Sequence, residues 1–206
     1  MTTLLALVVL GAARLASPSA YPPLVNLFTQ LDSRLPHGQY RIPSLVTTLK
    51  GTLLAFVAGR MHRTDRTPDI WFLRRSEDDG KTWGAALPVL NDPANRTEYG
   101  GAPVVDPATG HIHLVFSANV FGKRCSGCEL HLTSSTDDGQ TWSAPRPLQV
   151  RGPDNATWGG PLASGIALTR GPHAGRLVVA LRHDCGCGTL RASFCLLYTS
   201  PSPRDS

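Results

Sequence analysis

The sequence predicts an all-β fold, part of a β-propeller. Three observations carry that expectation. Helical periodicity is absent, and short apolar runs recur instead. Turn-rich stretches rich in Gly, Pro, Asp and Asn separate those runs. An octapeptide, SEDDGKTW from Ser76, returns nearly unchanged as STDDGQTW from Ser135. One strand-rich unit per repeat of that length marks a blade, which cannot hide both faces alone and stacks on its neighbours around an axis.

The elements follow in chain order. The first 20 residues read as a secretory signal peptide cut near Ala20: residues 4–13 are apolar or small, and small residues follow. The run is too short to cross a bilayer as a helix, so no transmembrane segment is expected. A buried first strand is the alternative. Strands are expected at 44–49, 53–58, 70–73, 112–116, 130–134 and 176–181. Turns are expected at 92–95, 106–110, 137–139 and 171–175, and DPATGHIHLVF reads as a hairpin with its turn at 107–110.

Composition narrows the function classes. A hydrophobic share of 41% suffices for a buried core, while 20 Gly and 17 Pro favour turns over long helices. The net charge is +5, but the basic residues are scattered, which argues against nucleic acid and leaves an acidic small substrate open. Asn95 and Asn155 open N-x-T glycosylation triplets. Four of the five cysteines form C-x-x-C (Cys125, Cys128) and C-x-C (Cys185, Cys187). Behind a signal peptide these read first as disulfides; the second spacing is too tight for a usual zinc knuckle, and no metal site is assigned.

The repeated octapeptide has a structural explanation. Asp78 and Asp137 can accept backbone N–H groups in a tight turn, and Gly80 and Gly139 can take a backbone conformation closed to other residues. Ser76 and Ser135 can close further local bonds, and Trp83 and Trp142 offer large faces for packing. A calcium loop is the alternative, but the acidic spacing is not that of an EF-hand.

Ser-x-Asp-x-Gly-x-Thr-Trp resembles the Asp-box of sialidases. Upstream, YRIPSLVTTLKGTLLAF from Tyr40 resembles their F-R-I-P segment and the strand after it. In GRMHRTDRTPDIWFLRRS, Arg60, Asp65 and Leu73–Arg75 fall at the spacing of an Arg, an Asp and an L-R-R in animal sialidases. The likeness runs over about residues 38 to 197 and is nearest to the lysosomal members. It implies the N-terminal portion, about three blades, of a six-bladed β-propeller with Asp-box repeats.

The same resemblance implies an exo-α-sialidase, removing terminal sialic acid from glycoproteins, oligosaccharides and gangliosides without a cofactor. Sialic acid carries a carboxylate on its anomeric carbon, and guanidinium groups bind carboxylates in a planar, bidentate way. Arg41 matches the first arginine of the family's clamp, and Arg60 a second pocket arginine. Asp65 matches the acid that protonates the leaving oxygen, with Asp69 as its nearest competitor. The family's nucleophile is a Tyr aided by a Glu, and no tyrosine here matches its motif. At Ala58 the family often carries an acidic residue. The resemblance also implies the lysosome, with secretion or membrane association as alternatives, and a carboxypeptidase-type protective protein as partner. A non-enzymatic Asp-box propeller that binds carbohydrate or protein is the rival, and a disulfide-rich secreted interaction domain a third reading.

The stretch from Cys195 to Asp205, CLLYTSPSPRD, matches the in-frame translation of a transposon sequencing adapter; Cys195–Leu197 fit the family equally, since F-C-L-L occurs there. The expected organisation is therefore signal peptide 1–20, partial sialidase propeller 21–194 and non-native tail 195–206. Such a piece, with an open blade edge, is expected to fold poorly and to be inactive alone.

Overall fold

The structure, a computed structural model, describes residues 25–29, 39–62, 69–90, 96–120, 129–148, 150, 157–159, 161, 163–184 and 190–197. Every regular element among them is a strand, and the strands form three antiparallel sheets. Blade one holds β1 (Gln39–Thr47), β2 (Leu53–Arg60), β3 (Asp69–Ser76) and β4 (Leu87–Leu90) in sequence order. Blade two holds β5 (Arg96–Val105), β6 (Ile112–Val120), β7 (Glu129–Ser135) and β8 (Arg146–Pro147). In blade three, β9 (Thr157–Gly159) and β10 (Ile166–Ala167) both lie along β11 (Leu177–Asp184), which pairs with β12 (Leu190–Leu197). They are two pieces of one interrupted inner strand. The expected all-β blade architecture is what the chain adopts.

Boundaries moved where turns intervened. The run expected at 44–49 begins at Gln39 and stops at Thr47. Thr48 is taken by a tight turn: its N–H donates to the Thr52 carbonyl at 2.9 Å, and its carbonyl accepts from the Gly51 N–H at 3.0 Å. The 106–110 turn forms as expected, closed by the Gly110 N–H on the Asp106 carbonyl at 2.8 Å and by Thr109 Oγ1 on Asp106 Oδ2 at 2.8 Å. The 92–95 turn, Asn95, Asn155 and Cys125, Cys128, Cys185 and Cys187 lie outside the described residues, as do the signal segment and the tail beyond Leu197. Strand β12 runs through Cys195 to Leu197, the three residues common to both readings of the chain's end.

The core lies between blades. Leu54, Phe56, Ala58, Trp71 and Leu73 of blade one pack against Ile112, Leu114, Phe116 and Ala118 of blade two. The opposite face of blade two gives Val115 and Leu130 to a second cluster with Leu177, Val179 and Leu181 of blade three. The outer face of blade one carries a smaller cluster, Val57, Ile70 and Phe72, with Phe28 and Tyr40 against it. Alternation along each strand thus sends every second side chain to one neighbour or the other.

At one end of the sheets stand the two repeats. In each, the Ser oxygen accepts from the Gly N–H, Gly80 to Ser76 and Gly139 to Ser135, both at 2.9 Å. Asp78 Oδ1 accepts from Ser76 Oγ and from the Thr82 N–H at 2.9 Å; Asp137 does the same with Ser135 at 2.8 Å and Thr141 at 2.9 Å. The Thr82 hydroxyl bond, then the Thr82 N–H, hold the Asp78 carboxyl down at about 2, and Thr141 does likewise for Asp137. Gly80 and Gly139 both sit at φ 82, where a Cβ is strained.

The tryptophans divide. Trp83 Nε1 donates to the Gly80 carbonyl at 3.0 Å, inside its own turn. Trp142 instead leaves its blade and meets Phe56 of blade one edge-on, ring centroids 5.8 Å apart. The motif therefore pins blade to blade as well as strand to strand.

Candidate functional site

The opposite end of the sheets gathers the residues that the sequence singled out. On β1, Tyr40 turns to the outer face of blade one, where its ring meets Phe72 edge-on at 5.8 Å. Arg41, the next residue, lies on the other face, directly across from Ala58 of β2. Arg60 closes β2 two residues further along that face, so both arginines share one face at one end of blade one.

A β-bulge follows Arg41 at once: the register shifts between Arg41 and Ser44. Ile42 carries it at φ 56, a conformation uncommon for any residue but glycine and costly for a β-branched one. Pro43, which cannot donate to a ladder, is tolerated there because the ladder is interrupted. Bulges re-aim side chains, and this one sets the heading of Arg41. Arg41 is exposed, as a ligand clamp must be.

Arg60 is buried and is not a surface charge. Its side chain is 6% exposed, and Nε lies 3.9 Å from Oδ2 of Asp69, which is 3% exposed. The two residues are direct partners across β2 and β3. Arg60 thus lies beside a buried carboxylate of opposite charge. Asp65 lies in the 63–68 segment that joins β2 to β3 and is outside the described residues. The strand ends flanking that segment, Arg60 and Asp69, belong to the same end as Arg41.

One feature of this end escaped the sequence. The inner strand of blade two repeats the bulge of β1: its register shifts between Tyr99 and Gly101, and Gly100 has φ 64. A Cβ on Gly101 would lie 2.8 Å from the Trp71 ring, so only glycine lets β5 approach blade one here. The likeness of YRIPS and YGGAP, an aromatic before a bulge and a proline after it, was the available signal.

Two arginines on one face, at one end of the sheets, make a place suited to binding an anionic group. Residues 51–200 match the BNR repeat-like domain, and the chain belongs to that family. The relatives it matches include sialidases. It is 33% identical over 187 residues to a sialidase of Micromonospora viridifaciens, covering 78% of this chain and 28% of the relative. An exo-alpha-sialidase of Aspergillus fumigatus is 31% identical over 189 residues, covering 73% and 45%. Among solved structures, a Hadza microbial sialidase superposes with a TM-score of 0.68 at 25% identity, over 78% of this chain and 35% of that one. The Trypanosoma rangeli sialidase in complex with sialic acid shares the fold, with a TM-score of 0.61 at 18% identity over 79% and 29%. The chain therefore spans less than half the length of these relatives.

Proposed function

We propose that this chain is the N-terminal part of an exo-α-sialidase. The observation that carries the reading is the shared face of Arg41 and Arg60, at the strand ends that flank the Asp65 segment, within blades of a sialidase-related family. In this reading Arg41 binds the sialic acid carboxylate in a bidentate way. Asp65 delivers a proton to the leaving oxygen as the glycosidic bond breaks. Arg60, paired with Asp69, stiffens the pocket wall beside Arg41 and acts as a positioning residue. A nucleophilic Tyr, its Glu partner and two further clamp arginines belong to sequence beyond this chain, and retention of configuration follows from the Tyr intermediate. The lysosome as location, sialylated glycoconjugates as substrates and a protective-protein partner belong to the same proposal.

The test uses a fluorogenic sialoside. Residues 21–194 alone are expected to show no turnover, and measurable turnover would overturn the assignment of essential groups beyond the chain. In the complete enzyme Arg41→Ala is expected to raise KM and lower kcat/KM. An unchanged kcat/KM would remove Arg41 from the clamp.

A further inference from the structure

Phe28 packs on the outer face of blade one although it belongs to no strand. Its ring lies against Tyr40, with centroids 5.3 Å apart and planes inclined by 54°. The Arg74 guanidinium stands over the Phe28 ring, 5.6 Å from its centroid, and donates to the Gly84 carbonyl at 2.8 Å. Phe28 is thus held between a tethered cation and a second ring. Tyr40 in turn meets the buried Phe72 edge-on. The β2 partner of Tyr40 is Gly59, whose lack of a side chain leaves the way open from β1 to Phe72 on β3.

Tyr40 is joined directly to Arg41, and strand alternation sends the two side chains to opposite faces. The bulge tightens that coupling. Strand β1 pairs with β2 at Gln39, Tyr40 and Arg41, and the ladder resumes only at Ser44. Beyond the interruption the strand is a three-residue piece, held by its ladder at the edge and by the Tyr40 ring on the outer face. A turn of that piece about its own axis moves Tyr40 one way and Arg41 the other. Phe72 is part of the sheet itself, whereas Phe28 comes from chain that precedes it. Aromatic pairs hold a direction as well as burying area.

We propose that Phe28 is a positioning residue for substrate binding: set between Arg74 and Tyr40, it fixes the short end piece of β1 and with it the heading of Arg41. This rests on the reading of Arg41 as the clamp for the substrate carboxylate. Segment 25–29 is then a strap that acts on a ligand from the opposite face of the blade, without touching it. Loss of the strap leaves the clamp in place but loosely aimed. The carboxylate is bound alike in the ground state and the transition state, so a loose clamp raises KM and spares kcat.

In the complete enzyme, Phe28→Ala is expected to raise KM for a fluorogenic sialoside about tenfold at nearly unchanged kcat. Phe28→Leu, which keeps apolar bulk and serves should the alanine variant not fold, is expected to raise KM about threefold. Phe28→Tyr keeps the ring and is expected to hold KM within about twofold of the parent. The decisive measurement repeats Phe28→Ala or Phe28→Leu in an Arg41→Ala background, where a residue acting through Arg41 has no further effect. An Arg41→Ala enzyme with unchanged KM removes the clamp reading and the proposal with it. If Arg41→Ala raises KM, and the change at Phe28 multiplies KM by the same factor in both backgrounds or in neither, the proposal falls while the clamp stands. Loss of kcat and melting temperature together at an unchanged KM shows a merely structural part and overturns it too.

Discussion

At one end of the blades, Ser135, Asp137, Gly139 and Thr141 close a turn within eight residues, and Ser76 to Thr82 do the same fifty-nine residues earlier. At the other end, Arg41 takes its heading from a bulge and Arg60 its charge balance from Asp69 on the next strand. The first kind of structure is encoded by neighbours in sequence and forms wherever its strands form. The second depends on partners brought in by the sheet. A local turn can be read, copied and repeated; a pocket wall has to be assembled.

The sharpest way to separate the ends is at Asp65. In the complete enzyme, Asp65→Ala is expected to cost at least about 100-fold in kcat, the lower range for a lost general acid, with no change in melting temperature. A fall in stability that matches the fall in rate would erase the contrast between the ends.

The next largest effect lies at the repeat end. Asp138→Asn removes the charge that Arg75 and Thr52 bind, leaving Arg75 the exposed Glu77 carboxylate and the carbonyl at position 138, and is expected to destabilise by about 1–2 kcal/mol, read by denaturant unfolding. Asp79→Asn, at the same place in the other repeat but exposed, is expected to change stability by less than about 0.5 kcal/mol. Equal effects would mean that Asp138 serves its own turn and not the blade in front.

Similar in size is Ser135→Ala, which removes the acceptor of the Gly139 N–H and a donor to Asp137, for an expected loss of about 1–2 kcal/mol. Last comes pH. Asp78 and Asp137 titrate near about 2 in the fold, below the ordinary carboxylate value of 3.8. A depressed carboxyl stabilises above its unfolded pKa, so the melting temperature is expected to be level above pH 4 and to decline modestly from there toward pH 2. Replacing both residues by Asn should flatten that decline, and an unaltered slope would place the acid-sensitive groups elsewhere.

How much of this was legible in the sequence follows the same division. The turns at 106–110 and 171–175 and both repeats were readable because Asp, Thr and Gly act on their own neighbours. The strands at 53–58, 70–73 and 112–116 were readable from apolar runs buried on both faces. Strand β5 was not among the expected strands, since Gly100, Gly101 and Pro103 are poor strand formers; the Trp71 ring pressed on Gly101 shows why glycine belongs in that strand. The place of Arg41 on its strand was legible through its motif, whereas the pairing of Asp69 with Arg60 was not. Nor was the tie from Asp138 to Arg75 and Thr52, partners 63 and 86 residues away that no local pattern announces.

Ile42 carries a further consequence. It holds a left-handed backbone at an estimated cost of about 1–2 kcal/mol, and its side chain is nonetheless packed against the cluster between blades one and two. Strain and packing act on one residue in opposite senses, so position 42 is where selection for thermal robustness and selection for turnover would diverge. A library screened only for heat tolerance would accept asparagine or glycine at position 42 and let the neighbouring guanidinium wander. One screened for catalysis would keep the branched side chain and accept a softer protein.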